Sequence, residues 1–431
     1  MKTAPTKLDS QRRDFHHLWA GQSLSLFGDQ FAVLALPLLA VEIVGASCAQ
    51  AALLPFALFV PFLVFGLPAG AIVDRLPRRS TMLVCDTLQA AVFAVIAAFA
   101  LLNVLTFPLL MELVALAGSA VVFFQVAYTS YLPELMSGAD DLQGGNARLF
   151  FSESVSRTVG PMAAGPIIAA VGTAAAIVVD SATFAISVVV LLTIRHRSAR
   201  ALAEPRTRGW LRRDIREGLL FVLGHDRLEP VISCGVVYVA FLSMIESSLV
   251  LYCKSVLGLS ATGIGVVVGA AAAGFPLGNL LSPKLVARIG VGRTLAASAV
   301  VSVLGLVLTP IAGAFGSVVG LVAASVVHGV GEGAFGPTSL TLRQTEAPEA
   351  LLGRVNAVQR FLIWGAIPLG SLMTAACIDF WGLSVALWVG GLGTSLCLPV
   401  LMRRGLLNEV LRSGTTCITT FQLLEKNHDI R

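Results

Sequence analysis

Pro166-Ile-Ile-Ala-Ala-Val171-Gly172-Thr173-Ala-Ala-Ala-Ile-Val-Val-Asp180-Ser-Ala-Thr-Phe-Ala-Ile-Ser-Val-Val-Val-Leu-Leu-Thr-Ile194 settles the class of the chain. From Thr173 to Ile194 one acid interrupts a run long enough to cross a bilayer, which takes about 20 apolar residues. A second run closes at Val171, and only Gly172 separates the two. Spans joined so tightly must lie antiparallel and side by side.

Reading outward in both directions gives twelve such runs, at 18–44, 49–73, 80–102, 107–130, 150–171, 173–194, 230–252, 262–286, 294–313, 316–340, 355–377 and 382–402. The composition agrees. Of 431 residues, 56% are hydrophobic and 13% charged, where a soluble domain has about a quarter charged. Mean hydropathy is +0.84. This excludes a soluble enzyme, a disordered chain and a nucleic-acid binder, and leaves an all-α integral membrane protein in contact with the lipid bilayer. Long Leu, Ala, Val and Gly runs favour helices over a barrel of alternating ten-residue strands. The first 17 residues are polar and the next run is too long for the core of a cleavable signal, so none is expected.

Basic residues set the orientation, because cytoplasmic loops hold them. Lys2, Lys7, Arg12 and Arg13 precede span one, and Arg75, Arg78 and Arg79 follow span two. Arg195 to Arg227 fill the joint after span six. Lys284, Arg288 and Arg293 follow span eight, Arg343 and Arg354 span ten, and Arg403, Arg404 and Arg412 span twelve. Of 30 Lys and Arg residues, only Lys254 falls in a joint on the other side. Both termini are therefore expected in the cytoplasm, and the net charge of +5 reads as topology. Seven scattered cysteines offer no C-x-x-C and no ligand spacing, so no metal and no cofactor are expected.

The predicted organisation is an N-terminal segment 1–17, a six-helix bundle 18–194, a linker 195–229, a second six-helix bundle 230–402 and a tail 403–431. In the linker, Leu211, Ile215, Leu219 and Val222 share a helical face and Arg212, Arg213, Arg216 and Glu217 lie elsewhere, which predicts an amphipathic helix on the inner leaflet. The two bundles repeat. Gly66-Leu-Pro-Ala-Gly70 returns as Gly274-Phe-Pro-Leu-Gly278, and Leu142-x-x-x-Asn146-Ala147 as Leu352-x-x-x-Asn356-Ala357. Duplicated six-helix halves are an arrangement that alternating-access transporters use.

After span two stands Gly70-Ala-Ile-Val-Asp74-Arg75-Leu-Pro-Arg78-Arg79. It resembles the G-x-x-x-D-R-x-G-R-R loop signature of the major facilitator superfamily, with Pro77 in place of a glycine. Span five carries Ser156-Arg-Thr-Val-Gly160-Pro161-Met-Ala-Ala164-Gly165-Pro166, which is similar to that family's exporter helix motif, with Ser156 and Ala164 replacing two glycines. Asp214-Ile-Arg-Glu-Gly-Leu and Gly331-Glu-Gly333 through Gln344 to Gly353-Arg354-Val355 look like its enterobactin-exporter and macrolide-efflux branch. The resemblance implies two pseudo-symmetric six-helix bundles, a gating role for Gly70, Asp74, Arg75, Arg78 and Arg79, close helix packing at Gly160, Pro161 and Gly165, and export driven by a proton gradient. The family's basic partner in span four is missing here, and Arg157 or Arg360 is expected to stand in for it.

Ionisable groups inside spans are costly and mark function. Asp29 lies deep in span one, Glu246 in span seven, and Glu332 in span ten with His328 one turn before it. In the superfamily, spans one, four, seven and ten line the cavity. Because desolvation favours the neutral form of an acid, Asp29, Glu246, Glu332 and His328 are the candidates for proton coupling. Asp29, Gln125, Tyr128, Glu246 and Glu332 are the candidates for the substrate cavity, with Tyr131 either there or in an interfacial belt. Asp86, Glu153, Arg157 and Arg360 are expected near inner ends, and Asp180 and Glu112 near water at outer ends. The expected function is proton antiport of a small drug-like molecule or secondary metabolite, a siderophore or macrolide among the options, by a monomer in the inner (cytoplasmic) membrane. Import through the same fold is one alternative. A membrane-embedded lipid-group transferase is a remote one, because paired acidic motifs, H-E-x-x-H, G-x-S-x-G and phosphate loops are absent from the sequence.

Overall fold

The computed structural model describes residues 7–66, 68–73, 75–136, 139–194 and 210–402, and contains no strand among them. Its helices are α1 (Lys7–Glu42), α2 (Cys48–Ala51), α3 (Leu54–Phe65), α4 (Pro68–Val73), α5 (Arg78–Leu101), α6 (Phe107–Leu135), α7 (Ala139–Val171), α8 (Thr173–Thr193), α9 (Trp210–Leu223), α10 (Leu228–Ser255), α11 (Ala261–Ile289), α12 (Val291–Ala314), α13 (Val318–Glu346), α14 (Glu349–Trp381), α15 (Leu383–Thr394) and α16 (Cys397–Leu401). Eleven of the spans they form are long and apolar enough to cross a membrane. The twelfth is α7, whose Glu153, Arg157, Pro161 and Pro166 dilute its apolar run.

Local chemistry explains the breaks. Span two is three pieces, α2 to α4, with Pro55 in the first turn of α3 and Pro68 opening α4, where a missing backbone donor is tolerated, and Pro61 carried inside α3. Ser47 caps α2 in a reciprocal box with Gln50. Ser260 and Ser317 cap α11 and α13 by accepting from the Gly263 and Gly320 amides, without the reciprocal bond. Gly172 and Gly382 turn the chain between α7 and α8 and between α14 and α15 with φ of +86° and +89°, a region open to glycine at little cost. They stand 210 residues apart (382 minus 172), the offset of the Asn-Ala repeat.

The two halves pack alike. α1 lies on α8 as α10 lies on α15, α5 on α6 as α12 on α13, α3 on α6 as α11 on α13, and α1 on α7 as α10 on α14. Across the halves, α7 meets α11 and α14 meets α2 and α3. Two pseudo-symmetric six-helix bundles follow from these pairings.

The apolar core is shared on one side of the membrane and divided on the other. One cluster takes residues from both halves, from Phe31–Ala57, Val92–Ala117 and Ala164–Phe184 on one side of the seam and Leu242–Cys253, Ile264 and Val267 on the other. All of these lie toward the outer ends of their helices. Toward the inner ends there are two separate clusters. One, around Phe15, Met82, Phe124 and Tyr131, belongs to the first half. The other, around Val222, Ile232, Leu342 and Val358, belongs to the second. The molecule is closed at the end that the basic-residue pattern assigns to the outside and parted at the other.

Helices run further inward than their apolar stretches. α1 begins at Lys7 and α7 at Ala139, well before the predicted 18 and 150, because helix propensity does not stop where lipid does. The linker helix is α9, and it packs on the second half. Val222 is buried in the second half's inner cluster with Leu219 beside it. Gly218 sits against Arg354 and Val358 of α14, and Glu217 pairs with Arg354 at 2.7 Å. Leu220 and Leu223 face outward.

Candidate functional site

Glu246 sits nine residues before the outer end of α10, about 14 Å at the helical rise. Its neighbours Leu242 to Ile245 and Ser247 to Val250 are buried, yet Glu246 itself is exposed. With Glu332 of α13 and Arg157 of α7 within its electrostatic reach, it faces the space between the two halves, a vestibule that the separate clusters leave parted.

The opposite wall of this vestibule is charged. Arg157 on α7 has a side chain 55% exposed and pairs with Glu153 one turn away at 3.2 Å. It lies within electrostatic reach of both Glu246 and Glu332. Glu332 on α13 meets His328 Nε2 at 3.3 Å. The other ring nitrogen, Nδ1, is 2.9 Å from Ser302 Oγ and 3.2 Å from the Tyr238 hydroxyl. Tyr238 and Ser302 are themselves 2.7 Å apart. This chain from α10 through α12 to α13 fixes the imidazole and couples it to Glu332.

At the tip of the vestibule Arg360 on α14 is exposed, its guanidinium 5.8 Å from the Trp364 ring. Trp364 packs edge-on against Phe62 at 4.6 Å and Phe59 at 6.1 Å across the two halves. Gln125 and Tyr128 on α6 are half-buried, Tyr128 stacks on Phe124 and Glu153 lies within its electrostatic reach. Tyr131 lines no cavity. It is fully buried in the first half's inner cluster.

Asp29 is half-buried on α1, but the structure does not group it with Glu246. The acids acting on it are Asp86 of α5 and Asp180 of α8. The expectation that Asp180 is near water fails, for it is 0% exposed. Asp86 is 1% exposed and accepts a hydrogen bond from Ser187 Oγ at 2.6 Å. The sequence does carry a signal for this seam, since Asp180, Thr183 and Ser187 recur at i, i+3 and i+7 in an otherwise apolar helix.

The loop after span two ties helix ends together. Arg78 bonds the Ser130 carbonyl at 3.0 Å and forms an ion pair with Glu134, both on α6. Arg79 bonds the Leu191 and Leu192 carbonyls of α8 at 2.9 and 3.1 Å, groups a helix C-terminus leaves unpaired. Arg75 is exposed and Gly70 is half-buried with open space around it. Asp74 lies outside the described residues, as do Arg195 to Arg208 and the tail from 403. Span four thus brings an acid, Glu134, to the loop's Arg78, while Arg157 pairs with Glu153 and Arg360 lies over Trp364.

Gly160, Pro161 and Gly165 form seams. A Cβ on Gly160 would stand 2.5 Å from Gln30 of α1, and one on Gly165 would stand 2.6 Å from the Ala261 carbonyl of α11. Gly265 returns the contact, its Cβ position 2.3 Å from the Pro161 carbonyl. Near the outer surface Lys254 pairs with Glu42 at 2.5 Å, so the lone basic residue on the outer side joins the two halves.

Two matched bundles around a one-sided, charge-lined vestibule define a multi-pass membrane transporter. Residues 18–364 match the Major Facilitator Superfamily, and the chain belongs to that family. It is 29% identical over 367 residues to the "Multidrug efflux pump Tap" of Mycobacterium tuberculosis, covering 83% of this chain and 85% of that one. Among solved structures, a point mutant of the nucleoside transporter NupG superposes with a TM-score of 0.73 at 14% identity, over 90% of this chain and 99% of that one. A bacterial homologue of the iron transporter ferroportin in its inward-facing state gives 0.71 at 18% identity, over 91% and 98%. In the outward-facing state such a homologue gives 0.58.

Proposed function

We propose that this transporter exports an amphipathic drug-like molecule or secondary metabolite from the cytoplasm in exchange for protons, by alternating access, as a monomer in the cytoplasmic membrane with both termini inside. The observation that carries this reading is Glu246, a water-facing carboxyl at the blind end of the vestibule, with Glu332–His328 and Arg157 around it. The Tap relative's name supports efflux of small molecules. Trp364, Phe59 and Phe62 offer apolar faces and Glu246, Glu332, Arg157 and Arg360 offer charges, a lining suited to an amphipathic molecule. In the cycle, the inward-open form takes substrate while Glu246 is ionised. Outward opening releases it as Glu246 takes a proton, and the neutral acid favours return.

Inverted membrane vesicles test this. An acid interior should drive a cationic dye into wild-type vesicles, and a protonophore should abolish the uptake. Glu246→Gln should lose gradient-driven uptake at least about tenfold, the cost of removing about 1.4 kcal/mol of coupling, while energy-independent dye exchange persists. Asp29→Asn should act in the same direction. Full pH-driven uptake by both variants would remove the proton from the mechanism.

A further inference from the structure

The vestibule leaves Asp180 without a role. It lies seven residues into α8 from the outer joint, about 10 Å deep, is 0% exposed, and neither carboxyl oxygen has a hydrogen-bond partner. A bare carboxylate in such a place is strongly disfavoured, because nothing replaces the water it gave up. α8 turns Asp180, Thr183 and Ser187 toward α1 and α5. From α1, Gly28 brings its backbone so close that a Cβ there would lie 2.9 Å from Asp180 Oδ1 and 2.0 Å from Thr183 Oγ1, and Asp29 is the next residue. From α5, Asp86 is held by Ser187 at 2.6 Å, with Cys85 beside it.

Nothing basic balances these acids within the three spans. The sequence of α1 from Leu18, of α5 from Ser80 and of all α8 has no Lys, Arg or His. Basic side chains at the far ends of these helices are engaged elsewhere, Arg79 with the carbonyls of Leu191 and Leu192, Arg78 with Glu134, and His17 with Thr193. On α7, which also touches α8, the charged pair is Glu153–Arg157, and Arg157 acts on Glu246 and Glu332. Among the described residues no group of three or more Asp, Glu, His or Cys side chains is placed to hold a metal ion.

We infer that Asp29, Asp86 and Asp180 form a second proton-binding site, within the first half and apart from Glu246, in which Asp180 carries a proton and Asp29 is the member open to water. A proton on Asp180 lifts the cost of a bare charge where no side chain bonds either oxygen. The inference rests on the reading of the chain as proton-coupled only for the site's use in the cycle; the binding itself stands on burial and missing partners.

Infrared spectroscopy of the full chain in lipid nanodiscs reads this directly. At neutral pH the wild type should show protonated-carboxyl bands, and Asp180→Asn, the neutral isostere, should delete one of them while the thermal unfolding midpoint holds. Asp86→Asn should shift that band and Glu246→Gln should leave it in place. If Asp180→Asn does not fold, the Asp86→Asn shift decides. An unchanged spectrum in the variants, or a band that sodium removes at constant pH, overturns the proposal. A band present in a protein that shows no pH-driven transport would instead sink the antiport reading and leave this site standing.

Discussion

Ser255→Cys should lock the transporter shut on its outer side. Cys48 begins α2 in one half and Ser255 ends α10 in the other, and their Sγ and Oγ atoms already touch at 3.7 Å. A disulfide needs about 2.0 Å between sulfurs and Cβ atoms about 4 Å apart, which a side-chain rotation from this contact can reach. The Glu42–Lys254 pair joins the end of α1 to the same α10 one residue before Ser255, so the bond would fix an approach the protein already makes. Under a mild oxidant, transport by Ser255→Cys should fall to background and return with a reductant, while Cys48→Ser in the same background should be immune. The remaining described cysteines are buried. Full transport by a protein whose two thiols are proven joined would mean the outer mouth never opens between α2 and α10.

Gly265→Val should act in the opposite sense. The Cβ position of Gly265 is 2.3 Å from the Pro161 carbonyl and 3.2 Å from Gly165 Cα. Both are backbone, so no side chain can swing aside. Overpacking of this kind costs about 1–3 kcal/mol, and it applies only where α7 and α11 touch, in the form closed outside. A penalty of about 3 kcal/mol shifts the two forms about 150-fold. Spin labels at the outer ends of α7 and α11 should report a longer distance in the variant, and steady-state efflux should collapse. Gly265→Ala should do the same to a smaller degree. An unchanged distance distribution with normal efflux would show that this seam is not what closes the outer side.

The membrane class, the twelve spans and the twofold repeat were legible in the sequence because lipid leaves few solutions. A run either is apolar for about 20 residues or does not span. Gly160, Pro161 and Gly165 were also legible as close-packing positions, since little but glycine tolerates backbone contact. What hydropathy did not report is where helices end beyond the bilayer, so α1, α7 and α14 are longer than their apolar cores. It also gave no bearing on which helix an acid faces. Asp29 and Glu246 look equivalent along the chain, yet α1 turns Asp29 toward Asp86 and Asp180, while α10 turns Glu246 to water. Lys254 was visible only as an exception to the charge rule. Its partner, Glu42, is 212 residues away (254 minus 42), and pairing at that separation is set by the docking of the halves.

The undivided outer core has an electrical consequence. With the parted end in the cytoplasm, as proposed, water in the vestibule would bring the cytoplasmic potential up to Glu246 and Arg360, and conducting fluid sustains almost no field. The membrane voltage must then drop across the thin dry layer of Leu34, Leu38, Val250, Ile264 and Val267. A unit charge carried through that layer gathers nearly the whole of it, about 2.3 kcal/mol per 100 mV. The apolar seal is therefore the dielectric of a capacitor, and its thickness decides how much of the cell's resting voltage each turnover can harvest.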